Sequence, residues 1–183
     1  MKAEREIHMN KELWGQILGI VATLIITSAY QANTKKGLLK IQTPGIAVLC
    51  VSYLLLGASS GFALNVVCVL RNICCFFIKE KTKPYYAMTG ALMVIMGVMG
   101  FLSWEGYISL LLVVALVANT FFIALGKTQI LRYSIIITSS MCLIYNIVVF
   151  SVGGILLEAI SVASAIIGSI RFLIAAKKKA SQG

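Results

Sequence analysis

The chain has 183 residues, of which 60% are hydrophobic and 12% are charged, and its formal net charge is +10. Soluble domains have roughly 45–50% apolar and about 25% charged residues, so a water-soluble core could not bury this much apolar surface. The composition excludes an ordinary soluble domain and indicates a protein solvated by lipid. Loops that set membrane orientation account for the positive charge, and no stretch interleaves it with aromatic residues, so nucleic acid is not an expected partner.

Seven apolar segments follow one another along the chain, each with the ~17–25 residues that cross a hydrocarbon layer of about 30 Å. The first is not a signal peptide, because it has full spanning length, lacks a small-residue cleavage site and is followed by similar segments. Pro44 and Pro84 are predicted at or just before helix starts, where a missing N–H costs nothing. The predicted spans are Leu13–Tyr30, Thr43–Ser59, Ser60–Ile78, Tyr86–Trp104, Gly106–Leu125, Ile130–Phe150 and Gly153–Ala176.

The basic residues support this number of spans and predict their orientation. With seven spans, 13 of the 16 Lys and Arg residues fall on or near the side of the C-terminus, and the other three lie near the N-terminus beside three glutamates. Six or eight spans would scatter the basic residues over both sides. The positive-inside rule therefore predicts an N-terminus outside and a C-terminus in the cytoplasm.

The two halves of the chain repeat at an offset of 93 residues. Ala58–Asn65 (ASSGFALN) aligns with Ser151–Glu158 (SVGGILLE), and each is an uncharged turn followed by apolar residues and one polar residue inside the membrane. Three helices, one linker helix and three helices result, and the odd linker makes the triplets parallel repeats about an axis normal to the membrane. The predicted parts are a polar tail at 1–12, a first repeat at 13–80, a linker helix at 81–105, a second repeat at 106–176 and a basic tail at 177–183.

The 3+1+3 plan resembles the SWEET and PQ-loop transporter superfamily, in which the first helix of each triplet often ends in Pro-Gln before a loop rich in Lys and Thr. The segment Tyr30–Lys36 (YQANTKK) has the Gln but not the Pro, and the second triplet has no Pro-Gln. More specifically, the whole chain resembles the YgjV family of bacterial inner-membrane proteins. The resemblance implies a bacterial inner membrane and no particular substrate. It rests on Tyr145–Glu158 (YNIVVFSVGGILLE), Ile170–Phe172 (IRF) and Leu64–Asn65.

Polar residues inside the predicted spans form the candidate substrate site, since ionisable groups at such depth are rare and usually face a cavity or a partner. Glu158 lies ~6 Å of helix rise inside the last span. It is either a solute or proton site or a first-turn acid stabilised by the helix N-terminus. Asn65, its mate in the repeat, either binds a polyhydroxy solute or makes an interhelical hydrogen bond. Asn146, Tyr53 and Tyr145 could line the same cavity, with aromatic core packing as the alternative for the tyrosines.

The remaining functional groups do not indicate an enzyme. The sole histidine, His8, lies in the polar N-terminal segment, and the sequence has no metal-ligand cluster, Ser–His–Asp set, phosphate loop or paired intramembrane carboxylates. No catalytic residue, cofactor or metal is therefore predicted, and the five cysteines are interpreted as small buried hydrophobes. Arg71, eight residues before Lys79, is deep enough to be costly unless its side chain snorkels to the cytoplasmic side.

Two functions of different classes follow from this inventory. The first is transport of a small solute, a sugar or a metabolite, through a cavity between the two triplets. The second is a non-transporting membrane receptor or assembly partner that shares the fold. Transport predicts that polar groups from both triplets face one space, whereas a sealed interior favours the second function. The solute, the coupling ion and the formation of a homo-oligomer stay open at this point.

Overall fold

A computed structural model describes residues 2–29, 35–79, 82–125 and 128–180, and the regular secondary structure within these ranges is α-helical. The predicted loop residues Gln31, Lys81 and Lys127 lie outside the described residues. The seven helices of the described ranges are α1 (Lys2–Ala29), α2 (Lys35–Leu55), α3 (Ser59–Phe77), α4 (Lys83–Leu102), α5 (Tyr107–Leu125), α6 (Thr128–Val148) and α7 (Val152–Ala180).

The apolar character of these helices confirms the prediction of an all-α membrane protein. Met9–Ala29, Ser59–Phe77 and Lys83–Leu102 are long and apolar enough to cross a membrane by length and composition. Within the described residues, the other four helices contain shorter apolar stretches of 10–17 residues. Large hydrophobic side chains are exposed on every helix, and such a surface is solvated by lipid rather than by water.

Two helices begin at least eight residues earlier than the sequence predicted. α1 begins at Lys2 instead of Leu13, so the segment predicted as a polar tail is the polar beginning of this helix. α2 begins at Lys35 instead of Thr43, and Pro44 lies inside α2 instead of at its start. Hydropathy marks where a helix enters lipid, but polar residues can continue the backbone hydrogen bonds beyond that point. Pro84 does lie in the first turn of α4, as predicted.

Helices that follow each other in the chain pack side by side, and α7 returns to α1, so the seven helices form a closed ring. α2 lies between α1 and α3, and α6 lies between α5 and α7. α4 packs against both α3 and α5, which have few direct contacts with each other. Because successive helices alternate in direction, the α2–α3, α4–α5 and α6–α7 turns lie at one end of the bundle, hereafter the turn end.

α1 and α7 approach each other closely at two glycines. A Cβ atom on Gly153 would stand 2.1 Å from the carbonyl carbon of Gly19, so only glycine fits there. The hydroxyl of Thr23, one turn along α1, donates a hydrogen bond to the carbonyl oxygen of Gly153 over 2.7 Å. Small residues let the backbones of membrane helices approach, and this contact joins the first and last helices.

The α2–α3 and α6–α7 turns have the same backbone geometry, residue for residue, at an offset of 93. Gly57 in the first turn has φ +74°, and Phe150 in the second has φ +53°, so both are left-handed. Each is the residue after a helix end in a Schellman motif, which bonds the last carbonyl groups of the helix. The matching bonds are Leu56 N to Ser52 O and Val149 N to Tyr145 O, both 3.0 Å, and Ala58 N to Tyr53 O and Ser151 N to Asn146 O, both 2.9 Å.

Substitution of Gly153 tests the contact between α1 and α7. We expect Gly153→Ala to lower the free energy of unfolding by about 3 kcal/mol, at the upper end of overpacking costs, because the new methyl meets backbone that cannot rotate away. Gly97→Ala is the matched control, since nothing lies within 4 Å of its Cβ position and it gains helix propensity of up to ~1 kcal/mol. Unfolding in mixed micelles measures both, and equal stability of the two variants would contradict the close contact.

Substitution of Phe150 tests the turn geometry, and it is expected to raise the free energy of unfolding instead of lowering it. A bulky residue in the left-handed region costs roughly 1–2 kcal/mol, so we expect Phe150→Gly to raise the free energy of unfolding by about 1 kcal/mol. Phe101 on α4 has the same exposed fraction, 78%, but helical backbone, so Phe101→Gly should lower stability by a similar amount. A loss of stability in both variants would show that Phe150 is not strained.

Candidate functional site

Tyr53 and Asn146 form a buried hydrogen bond between the two halves of the chain. The hydroxyl of Tyr53, in the last turn of α2, donates to Oδ1 of Asn146 on α6 over 2.6 Å. Both side chains are almost fully buried, at 3% and 1% exposure. A Cβ on Gly154 would stand 2.2 Å from Asn146 Oδ1, so the amide fits only because residue 154 has no side chain.

Tyr145, the neighbour of Asn146, bonds to the start of α3. Its hydroxyl accepts a hydrogen bond from the backbone N–H of Gly61 over 2.9 Å and donates to Oε2 of Glu105 over 3.4 Å. Its ring lies edge to face against Tyr53, with centroids 6.4 Å apart. Tyr53 and Tyr145 therefore belong to one network at the turn end, and both also pack in the core.

Glu105, in the α4–α5 turn, binds the N-terminus of α3. Its carboxylate accepts hydrogen bonds from the backbone N–H groups of Ser59 and Ser60, the second over 3.2 Å. The first N–H groups of a helix have no partner in the helix itself and carry partial positive charge, so a carboxylate is stabilised there. Glu105 was not among the site residues predicted from the sequence. The sequence did contain a signal for this role. Glu105 is an acid in a short turn at the end of the bundle where α3 begins, and α3 has no acid of its own in its first turn.

Gln16 bonds to the N-terminus of α7, as Glu105 bonds to the N-terminus of α3. Oε1 of Gln16 on α1 accepts from the backbone N–H of Val152 over 2.9 Å, and its Nε2 donates to the carbonyl oxygen of Phe150. Ser52 on α2 donates to the carbonyl oxygen of Gly15 over 2.7 Å. Side chains from neighbouring helices thus bond to these backbone groups and hold the helices together at the turn end.

Glu158 faces the interior of the bundle. It is the seventh residue of α7, half-buried, and its carboxylate lies within hydrogen-bonding reach of Ser139 on α6. As the seventh residue of α7, Glu158 lies in the second turn of that helix.

Asn65 forms a hydrogen bond within its own helix, and its role in binding a solute stays a prediction. Its Nδ2 donates to the carbonyl oxygen of Gly61 in its own helix over 2.8 Å, and its side chain is half-buried. It lies four residues after Gly61 and three before Cys68, on the helix face that turns toward the second half. The structure thus joins Tyr53 to Asn146 by a hydrogen bond and to Tyr145 by a ring contact, whereas Glu158 lies beside Ser139 and Asn65 bonds to its own helix.

The site consists of hydroxyl, amide and carboxylate groups. In the part of the chain that the structure describes, no group of three or more His, Cys, Asp or Glu could hold a metal ion. Hydroxyls and amides donate and accept hydrogen bonds, so these groups can bind a polar solute or stabilise contacts between helices.

The bond from Tyr53 to Asn146 can be tested by removing one hydroxyl. We expect Tyr53→Phe to lower the free energy of unfolding by about 1–2 kcal/mol, because the buried carbonyl of Asn146 loses its donor. Tyr107→Phe removes a hydroxyl from a side chain that is 88% exposed and should have almost no effect. Unfolding of both variants in mixed micelles measures the difference, and equal values would mean that the buried bond contributes nothing.

Comparison with known proteins agrees with this architecture. A family model described as Imp-YgjV, a bacterial inner membrane protein, matches residues 13–176. No curated protein and no solved structure matches the chain significantly. The family match includes the seven apolar helices from residue 13 onward, and together they make this a multi-pass protein of the bacterial inner membrane. The chain belongs to the Imp-YgjV family of bacterial inner membrane proteins.

Proposed function

We propose that this protein transports a small polar solute across the inner membrane by rocking two halves, α1–α3 and α5–α7, against each other. The observation that carries the proposal is a buried hydrogen bond between polar groups of the two halves. Tyr53 of the first half bonds to Asn146 of the second, and Glu158 of the second half lies beside Ser139 of α6. Ionisable groups inside membrane bundles commonly mark a solute or proton pathway.

The arrangement of the helices supports two repeats related by an axis normal to the membrane. α1 packs on α2 and α2 on α3, as α5 packs on α6 and α6 on α7. The contact of α7 with α1 corresponds to the weaker contact of α3 with α5, and α4 covers that weaker seam. The matched α2–α3 and α6–α7 turns add support at the level of single hydrogen bonds. A 3+1+3 plan of this kind also supports the resemblance to SWEET and PQ-loop transporters.

In the orientation that the basic residues favour, the turn end faces outward and the conformation is closed to the outside. The tight contact of Gly19 with Gly153 makes α1 and α7 the natural hinge, and the looser seam of α3 with α5 is where the halves part. Opening would break the Tyr53–Asn146 and Tyr145–Gly61 bonds, each worth about 0.5–1.5 kcal/mol net. A cost of a few kcal/mol is the scale of ordinary conformational equilibria in proteins.

One observation favours the second function, a receptor or assembly partner. Leu64, Met96 and Tyr145 are fully buried in the interior, as expected of a bundle that stays sealed. A sealed bundle would not conduct any solute, whereas a carrier captured in its closed state would. Flux through the purified protein therefore separates the two functions.

Solute uptake into proteoliposomes, screened with sugars and small metabolites, is the test of transport. We expect uptake of at least one solute by the wild-type protein and its loss in Glu158→Gln and in Asn65→Ala, because both remove a solute-binding group while the proteins still reach the membrane. Glu12→Gln is the control, since this exposed residue of α1 lies away from the interior.

Unchanged flux in both site variants would overturn the site assignment. Absence of uptake for every solute in the wild-type protein, with correctly inserted protein in the liposomes, would favour the receptor or assembly partner instead.

A further inference from the structure

Arg71 is buried at the end of the bundle opposite to the turn end. Its side chain is 8% exposed, and it lies six residues before Phe77, where α3 ends, a distance of about 9 Å along the helix. The guanidinium does not extend into water there, as snorkelling would require. Its Nη1 donates to the hydroxyl of Thr120 on α5 over 3.0 Å.

The partners of Arg71 are all neutral. Apart from Thr120, its Nε and Nη2 contact Oδ1 of Asn72 over 3.4 and 3.3 Å. Among the residues that the structure describes, no carboxylate pairs with this guanidinium. The hydroxyl of Thr120 donates its own hydrogen bond to the carbonyl oxygen of Leu116 over 2.8 Å, so it offers Arg71 only a lone pair. Arginine stays charged in proteins, and a buried charge without a counterion is costly.

Asn72 adds unused donors beside the guanidinium. Its side chain is 3% exposed, and its Nδ2 is buried without a hydrogen-bond partner in the described part of the chain. Turning the amide over would not help, because it would point the NH₂ group at the positive guanidinium. Arg71 has five N–H donors, of which three have contacts, so spare donors of both residues lie together. Buried donors without acceptors are rare in folded proteins.

We infer that Arg71 and Asn72 form a binding site for an oxyanion, a carboxylate or a phosphate group, that enters from the end opposite to the turn end. Two oxygens of such a group accept from the N–H groups of Nη1 and Nη2 that have no contact, and they can also accept from the Asn72 amide while neutralising the buried charge.

The site goes beyond the proposed transport function and does not depend on it. If the protein is a carrier, the site selects solutes with an anionic group. Two sources can supply the oxyanion, a soluble anion of the cytoplasm or the phosphate of a lipid headgroup, and the same assay separates them.

Binding is measured on the full-length protein in nanodiscs of phosphatidylcholine, which has no net charge, by the shift of melting temperature with inorganic phosphate or acetate. We expect a rise for the wild-type protein. Arg71→Gln should weaken binding by roughly a hundredfold, because it removes a buried charged partner. Arg71→Lys keeps the charge without the fork and should lose less. Asn72→Leu should lose about tenfold, the value of one hydrogen bond to a charged group.

The matched control is Lys79→Gln, which removes an exposed positive charge at the same end and should leave the affinity unchanged. A second set of nanodiscs contains phosphatidylglycerol. Stabilisation by this lipid but not by phosphate or acetate, lost in Arg71→Gln, would identify the lipid phosphate as the oxyanion and support the site.

Two results would overturn the site. The first is an equal response of the wild-type protein and Arg71→Gln to every probe. The second is binding that appears only in Glu80→Gln, since the Glu80 carboxylate would then be the counterion of Arg71. Glu80 lies outside the described residues. Neither result would affect the transport proposal, because uptake through the Glu158 site is measured separately.

Discussion

Helices buried in lipid leave backbone N–H groups at their first turns, and without water these groups must bond to the protein itself. At the turn end this requirement is met between helices. Glu105 bonds to the start of α3 and Gln16 to the start of α7, while Tyr145 accepts the N–H of Gly61. Each of these bonds joins elements that are distant in the chain. The need to satisfy two helix ends therefore brings α1, α3, α6, α7 and the α4–α5 turn together.

The polar network of the candidate site depends on that arrangement of the helices. A Cβ atom on Gly61 would crowd the Tyr53 ring at 2.9 Å and the Tyr145 hydroxyl at 3.0 Å, and Asn146 has room only because residue 154 is glycine. With these two residues in position, the Tyr53 hydroxyl meets the Asn146 amide in a fully buried environment. The same bonds that complete the helix ends also run between the two halves, so stability and the conformational change proposed for transport depend on the same groups.

The two ends of the bundle differ in their hydrogen-bond balance. At the turn end, carboxylate, amide and hydroxyl oxygens match the available N–H groups. At the opposite end, Arg71 and Asn72 present more donors than their neighbours can accept. An excess of acceptors or donors inside a membrane protein is unfavourable unless a ligand forms hydrogen bonds with the unpaired groups.

Much of this architecture follows from the sequence. The number of helices and the uncharged turns between them could be predicted, because length, hydropathy and charge are local properties of the chain. The tertiary structure alone decided that Glu105 binds α3, that Asn65 bonds to its own helix, that Phe150 is left-handed and that Arg71 turns inward to Thr120. These features depend on how each helix is rotated about its axis and on which faces meet, and hydropathy does not encode that rotation in a chain whose helices are apolar all round.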